Sequence, residues 1–309
     1  MTALDPLAAP LAPLVPAALR RLSLLDEATA LTAALGGAST PLASAVSARR
    51  GSRSAERPPA PEQPPSEDWT GDAEKAFEEG ERLYEQGRRE EAETWYRRAA
   101  EAGHADAANT LGLLLEERGA GQAAEAWYRL GAEMGSVDAA CNLGLLLEER
   151  GEAGSAKEWY QRAAEAGDAD AAYRLGALLE QREKRDDAEA WYRKAAGAGH
   201  GRAANSLGLL LDDRGLAGEA ATWYRRAAEA GDLDAAYNLA LVLQRRGAYE
   251  EAEEWYGRAA EAGHVDAAYY LGLKHEERGD PAGAEAWYRR AAAAGHLAAR
   301  ARLAPPANG

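Results

Sequence analysis

The sequence predicts an all-α solenoid, in which short helices pack side by side along one axis. Nearly half of the 309 residues are hydrophobic, but Ile is absent, Val occurs five times and Phe once. Ala and Leu, which favour helices, therefore supply most of the apolar content, whereas the residues that favour strands are scarce. In addition, the dipeptide Trp-Tyr recurs seven times at a constant interval of 32 residues, from Trp95 to Trp287. A constant period of this length is typical of stacked helix-turn-helix units.

Each 32-residue unit has the pattern of two antiparallel helices, called helix A and helix B below. Helix A of the second unit is predicted over residues 104–118, with an apolar face formed by Ala107, Ala108, Leu111, Leu114 and Leu115. Gly119 supplies the left-handed residue that ends a helix, and helix B follows from about Gln122 to Met134. A single unit cannot bury its apolar face, so neighbouring units must stack. Seven units and a capping eighth helix A give a predicted solenoid over residues 73–304.

Two columns of small residues predict that the helix axes approach closely, with the Tyr of each Trp-Tyr pair filling the space between them. The column in helix A holds Gly80, Gly112, Gly144, Gly176, Gly208, Ala240 and Gly272. The column in helix B holds Ala92, Ala124, Ala156, Ala188, Ala220, Ala252 and Ala284. We interpret the Trp column as packing between units rather than as a ligand platform.

Residues 1–70 have a different composition. Ten of the 13 prolines lie within residues 1–65, and residues 37–70 are rich in Gly, Ser, Pro and Ala. We expect residues 1–70 to be a largely disordered tail, because this composition cannot bury enough apolar surface to fold. Leucines at residues 17–35 have helical spacing, and both a docked amphipathic helix and a transient helix fit them. Residues 305–309 form a second short tail.

Charge and composition exclude several classes of protein. The net charge of −15 opposes binding to a phosphate backbone, so nucleic acid is not an expected partner. No apolar run is long enough to span a membrane. Residues 1–16 contain four prolines and no basic residue, which is unlike a signal peptide and predicts a cytoplasmic protein. The lone Cys141 excludes an intramolecular disulfide and a cysteine zinc site.

No pattern in the sequence indicates a catalytic, metal or cofactor site. Four of the five histidines occupy one column at the start of helix A, namely His104, His200, His264 and His296. Successive units stand roughly 16–20 Å apart, so these side chains cannot share a metal ion. His275 takes a core position that is Leu in other units, and Cys141 has no His at helical spacing, so neither is predicted to be reactive. We therefore predict a protein that is not an enzyme and that needs no cofactor or metal.

The order of residues within a unit resembles the tetratricopeptide repeat, through Ala108, Leu111-Gly112, Gly119, Ala124 and Tyr128. The ending of the third unit, residues 159–167, is similar to the Sel1-like repeat, a close relative of that family. The resemblance spans residues 73–296 and implies an α-α superhelix that binds other proteins. The unit is two residues shorter than the 34-residue tetratricopeptide period. Its loop between helices A and B also lacks the extra residues usual in Sel1-like units.

The resemblance further implies that helix A lines a concave, ligand-binding face. The candidate groove residues at these positions are Asn109, Glu116, Glu148, Tyr173, Asn205, Asp212, Tyr237, Tyr269 and Glu276. The basic clamp that the family uses for a peptide carboxylate is replaced here by acids. We therefore predict an extended protein or peptide ligand of basic character, with tyrosines as apolar anchors and Asn side chains pairing with its backbone. The alternative interpretation is that these acids are ordinary solvated helix surface.

Two functions are consistent with these observations. The first is a non-catalytic interaction scaffold or adaptor that holds an extended peptide or protein segment in an acidic concave groove. The second is a regulatory protein in which residues 1–70 are the active element and the repeats present it. The sequence indicates neither the oligomeric state nor the identity of the partner.

Overall fold

The computed structural model describes residues 70–303, with side chains from residue 72 onward, and in this range the chain forms fifteen α-helices and no strand. The predicted all-α solenoid is therefore confirmed. The predicted tails, including the helix at 17–35, lie outside the described residues, apart from Thr70. Helices with odd numbers are A helices and those with even numbers are B helices. The helices are α1 (Thr70–Glu85), α2 (Arg89–Glu101), α3 (Ala105–Glu117), α4 (Gly121–Glu133), α5 (Val137–Glu149), α6 (Ala153–Glu165), α7 (Ala169–Gln181), α8 (Arg185–Gly197), α9 (Gly201–Asp213), α10 (Ala217–Glu229), α11 (Leu233–Arg245), α12 (Tyr249–Glu261), α13 (Val265–Glu277), α14 (Pro281–Ala293) and α15 (Leu297–Leu303).

The A helices begin at side-chain caps, as the sequence indicates. His104 precedes α3 by one residue, and its Nδ1 accepts the backbone N–H of Ala107 at 3.1 Å. Ser136, Asp168, His200, Asp232 and His264 cap the following A helices in the same way. Such caps satisfy amide groups that have no partner within the helix. Asp280 caps α14, whose first residue is Pro281, as predicted from the suitability of proline at that position.

The turns between helices depend on a left-handed residue. Gly119 has φ of 75° between α3 and α4, and glycines take this conformation at the equivalent turns. In the fourth unit the position holds Glu183, whose φ is 60°. The amide N–H groups of Glu183 and Lys184 still donate to the carbonyls of Glu180 and Leu179 at 2.9 and 3.0 Å. The turn therefore keeps its hydrogen bonds without glycine.

The core of each unit is a tyrosine ring laid against the glycine of helix A. Tyr160 is fully buried, and a Cβ added to Gly144 would lie 2.6 Å from two of its ring atoms. The same contact recurs in five other units, and only the sixth unit has Ala240 at the glycine position. In these six units Gly and Tyr form a matched pair, because a Cβ at the glycine would force the ring to shift. In the sixth unit Tyr256 is nevertheless fully buried together with Ala240.

Charged pairs join the turns of four units to the preceding unit. Arg150 follows α5 and binds Glu125 in α4, which also binds Arg129 at 2.7 Å. Burial tends to raise the pKa of Glu125, but the two guanidiniums together lower it. Equivalent pairs link Arg118 with Glu93, Arg214 with Glu189, and Arg278 with Glu253. These pairs fix the register of neighbouring units, although half-exposed ion pairs stabilise a fold by only about 0–1 kcal/mol each.

Candidate functional site

The A helices present one polar-rimmed face to solvent, which we call the helix A surface. It consists of four positions per unit, represented in α3 by Asp106, Thr110, Leu113 and Glu117, which share one face of the helix. The Leu113 position forms a partly exposed apolar row through Leu113, Leu145, Ala177, Leu209, Leu241 and Leu273. This row was not predicted from the sequence, although its partial exposure follows from its place at the edge of the apolar face. An apolar row between polar rows suits the side chains of a peptide.

Negative charge on the A helices is concentrated in the first three units. The helices α1, α3 and α5 carry twelve carboxylates against two cations, Lys75 and Arg82. The helices α7, α9, α11 and α13 carry eight carboxylates against four cations, Arg174, Arg202, Arg245 and Lys274. The charge of the solenoid is therefore polarised toward the end at which residue 70 enters it.

The carboxylates of this region repel one another. Burial, followed by the charges of Glu116 and Glu148, raises the pKa of Glu149 against the opposing effect of Arg174. Burial, followed by the charges of Asp106 and Asp168, raises the pKa of Asp138. A cation bound among these groups would relieve the repulsion, because an opposite charge favours the ionised form of a carboxylate.

The predicted acidic groove residues also bind the core tyrosines. The Tyr160 hydroxyl donates to Glu148 Oε2 at 2.6 Å, across the turn from helix B to the end of helix A. Burial and then this hydrogen bond raise the pKa of Tyr160, so its hydroxyl stays protonated and donates. The same bond joins Tyr128 to Glu116, Tyr192 to Glu180, Tyr256 to Gln244 and Tyr288 to Glu276.

The predicted exposure of this row is therefore only partly right. Glu116, Glu148 and Asp212 are half-buried, whereas Glu276 in the seventh unit is exposed. Arginines lie beside three of these carboxylates: Arg174 at 3.7 Å from Glu148, Arg302 at 2.8 Å from Glu276, and Arg245 in contact with Asp212. The more exposed acids are Glu149, Asp213 and Glu277, one position further along the helix.

The remaining groove candidates lie at the junctions between units. Asn109 and Asn205 are buried, and their Oδ1 atoms accept hydrogen bonds from Asn142 and Asn238 at 2.9 and 3.2 Å. Tyr173 stacks on His200 of the next unit with ring centroids 4.7 Å apart. The same stacking joins Tyr237 to His264, Tyr269 to His296 and Phe77 to His104. These side chains therefore hold neighbouring units together, and whether they also contact a ligand stays a prediction.

The junctions are of two kinds that the sequence distinguishes. At each junction, a residue near the start of helix A is followed, 27 positions later, by the capping residue of the next A helix. Wherever the residue of helix A is aromatic, the cap is His. Wherever it is Asn or Cys, the cap is Ser or Asp, in the pairs Asn109 with Ser136, Cys141 with Asp168, and Asn205 with Asp232. An imidazole offers a ring for stacking as well as a cap acceptor, whereas Ser and Asp offer only the acceptor. This pairing was visible in the sequence and was missed.

Each junction histidine is held in one tautomer. Nδ1 of His200 accepts the N–H of Ala203 at 3.0 Å, so the ring proton lies on Nε2. That atom then donates to Asp170 Oδ1 at 2.8 Å. The hydrogen bond to His200, ahead of the opposing effect of burial, lowers the pKa of Asp170. One side chain thereby joins two units through a cap, a stack and a bond to a carboxylate.

We expect Tyr173 and His200 to be energetically coupled. The change Tyr173→Asn with His200→Ser would recreate the Asn109–Ser136 kind of junction, and Ser still caps the helix. Each single change already removes the stacking, so the second change cannot remove it again. The double variant should therefore lose about 0.5–1.5 kcal/mol less stability than the sum of the two single losses. A double-mutant cycle in urea measures this coupling. Additivity within about 0.3 kcal/mol would show that the stack contributes nothing.

The Trp column lies on the B helices and packs partly buried against the core, as predicted. A cation three residues later covers most of these rings, with distances to the ring of 4.2 Å for Arg258 over Trp255 and 4.5 Å for Arg162 over Trp159. In the second unit that position is Leu130, and Arg97 of the preceding unit lies 5.8 Å from Trp127 instead. These cation–π contacts explain why the Trp column is not an open platform.

The isolated His and Cys residues occupy structural positions. Nδ1 of His275 lies 2.8 Å from Asp280 Oδ2, beside the cap of α14. Cys141 is buried, and burial raises the pKa of its thiol to about 12, which keeps it protonated. Within residues 70–303 no three His, Cys, Asp or Glu side chains are placed to hold a metal ion. Over the same residues, no helix has the length and apolar character needed to cross a membrane.

Comparison with known families agrees with this architecture. The tetratricopeptide repeat profile matches residues 77–139 and 237–299. The Sel1 repeat profile matches residues 137–168, 169–200 and 217–232. Together the two profiles cover about two thirds of the chain. No curated protein gives a significant match.

Solved structures with the same fold include two with 27–28% identity. A protective antigen of uropathogenic Escherichia coli strains, displaying an SLR fold, is 27% identical with a TM-score of 0.65, and the match covers 75% of this chain and 56% of the antigen. A Sel1 repeat protein from Oxalobacter formigenes is 28% identical with a TM-score of 0.55, covering 70% of this chain and 96% of that protein. This chain thus spans about half the length of the antigen.

Proposed function

Because the chain is a repeat protein of the tetratricopeptide and Sel1 type, we propose that it is a non-catalytic scaffold that binds an extended, basic protein segment along the helix A surface. Proteins of this superfamily generally act as interaction scaffolds. The observation that carries the proposal is the apolar Leu113 row, which begins in the second unit and is flanked by carboxylates there and in the third unit, while the first unit has the carboxylate Glu81 at this position.

The shape of this surface fits an extended ligand rather than a compact one. From the second unit onward the apolar row offers one Leu or Ala per unit, and each unit adds roughly 16–20 Å. Apolar ligand side chains would lie on this row, while Lys or Arg side chains would reach the carboxylates beside it. Glu117 and Glu149 are not hydrogen-bonded to the core tyrosines, and they are the carboxylates we assign to the ligand. Glu149 is exposed, whereas Glu117 is half-buried and lies 3.6 Å from Arg89, so a ligand cation would share Glu117 with that arginine.

The electrostatic part of the binding should depend on salt. A labelled nonapeptide of alternating Lys and Leu should bind the full chain more tightly than its Glu and Leu counterpart. Its affinity should fall as salt rises from 0.1 to 1 M, because the Debye length shortens from about 10 to about 3 Å. Fluorescence anisotropy measures both. Equal affinity for the two peptides, or an affinity independent of salt, would reject the proposal.

A further inference from the structure

Residues 47–58 form the most basic stretch that precedes the solenoid. They carry Arg49, Arg50, Arg53 and Arg57 against a single carboxylate, Glu56, in a chain with a net charge of −15. Their other residues are Ser, Ala, Gly and Pro, so no bulky side chain separates the arginines. This stretch has the basic character that we propose for the ligand of the helix A surface, and only Ala and Pro to place on the apolar row.

The position of this stretch brings it to the acidic end of the solenoid. Arg57 lies 13 residues before Thr70, the first residue of α1. An extended chain spans at most about 3.6 Å per residue, so Arg57 can reach about 45 Å from the start of α1. Three units extend over about 50 Å, at two helix spacings each. The stretch can thus reach most of the helix A surface in the first three units, whose A helices together carry twelve carboxylates and two cations.

We propose that residues 47–58 bind the helix A surface of the first three units of the same chain and compete there with external ligands. This inference rests on the proposed function, since it assigns an occupant to the same surface. Glu117 and Glu149, which share the helix A surface with Leu113 and Leu145, are the carboxylates that the arginines would meet in the second and third units. Arginine suits this role because its guanidinium binds carboxylates through two parallel hydrogen bonds.

Binding within one chain is favoured over binding between two copies, because the effective concentration of a tethered segment is higher than the concentration of a second copy. A tethered segment has an effective concentration on the order of 1 mM near its site. A second copy at micromolar concentration competes weakly with such a segment. For a segment whose own Kd is on the order of 0.1 mM, the external ligand would bind about tenfold more weakly than to an empty surface.

The first test compares full-length variants with the labelled Lys and Leu nonapeptide as probe. Replacing Arg49, Arg50, Arg53 and Arg57 with Gln should tighten binding of the probe about tenfold at low salt, and the gain should vanish at 1 M salt. The double variant Arg49→Gln/Arg50→Gln should give part of the gain. Its matched control, Arg20→Gln/Arg21→Gln, removes the same charge from the same end of the chain and should give none.

The outcomes separate this inference from the proposed function. If binding of the probe depends on salt, but the variant with all four arginines replaced binds the probe no more tightly than the parent chain, the inference is overturned and the proposed function stands. If the Arg20 and Arg21 control gives the same gain as its matched pair, general charge rather than this segment is responsible, and the inference also fails. If no variant binds the probe, both fail.

The second test locates the segment directly. The variant Arg53→Lys introduces a primary amine, and a zero-length carbodiimide reagent joins amines to carboxylates in contact. Mixing unlabelled and ¹⁵N-labelled full chains distinguishes links within one chain from links between chains. We expect links within one chain to Glu117 or Glu149. Links only to carboxylates of the B helices, or only between chains, would overturn the proposal.

Discussion

Replacing Tyr160 with Ala is expected to lower the free energy of unfolding by about 3–5 kcal/mol, because it leaves a cavity against Gly144 in the middle of the solenoid. Both neighbouring units pack on this region, so neither can move to fill the cavity without breaking its own contacts. Urea denaturation of the variant and the parent chain, followed by circular dichroism, measures the difference.

Two controls separate the parts of this effect. Tyr160→Phe keeps the ring and removes only the hydrogen bond to Glu148, so it should cost about 1 kcal/mol. Tyr288→Ala should cost less than Tyr160→Ala, because the seventh unit is followed only by the seven-residue helix α15. Equal costs at Tyr160 and Tyr288 would contradict stability by nearest-neighbour stacking.

Neutralising the four carboxylates at the ends of α3 and α5 should weaken binding of the Lys and Leu nonapeptide at least about fourfold. The variant carries Glu116→Gln, Glu117→Gln, Glu148→Gln and Glu149→Gln. Each lost charge pair contributes about 0.2–1 kcal/mol at an exposed site, and a difference of 1.4 kcal/mol changes the affinity tenfold. Anisotropy titration at low salt measures the change.

The structure explains why Gln is the appropriate replacement. In the sixth unit Gln244 already accepts the Tyr256 hydroxyl at 2.9 Å, in the place of Glu in other units. Glu116→Gln and Glu148→Gln therefore remove charge but keep the tyrosine hydrogen bond, whereas Lys would break it. The matched control replaces four exposed acids of the B helices, Glu101, Glu133, Glu158 and Glu165, with Gln. An equal loss of affinity in the control would mean that net charge, not the helix A surface, binds the peptide.

The architecture could be predicted from the sequence because each position of the repeat keeps one residue type, and that residue type has one structural role in every unit. Gly119 marks a turn, Ala108 and Leu111 mark the buried face of helix A, and His104 marks a helix start, and all four lie as expected. The seven Trp-Tyr pairs then fix the number of units. Helix bounds differed by one residue, since capping residues stand outside the helix.

The contacts of the candidate site were harder to predict, because they join residues in different helices. The bond from Tyr128 to Glu116 crosses a turn, and the stack of Tyr173 on His200 crosses a junction between units. The spacing of residues along one helix predicts which face a residue lies on, but it does not predict which side chain of the neighbouring helix the residue contacts. The polarised charge, in contrast, needed only the positions of the A helices and could have been counted from the sequence.

The central claim is that an extended basic peptide lies on the helix A surface of the first three units. A Lys and Leu nonapeptide with a photoreactive group at its central Leu tests this claim most directly, with the linked residues identified by mass spectrometry. We predict links to Leu113 or Leu145 and their neighbours on α3 and α5. Links concentrated on the Trp column of the B helices, or spread evenly over the chain, would contradict the account.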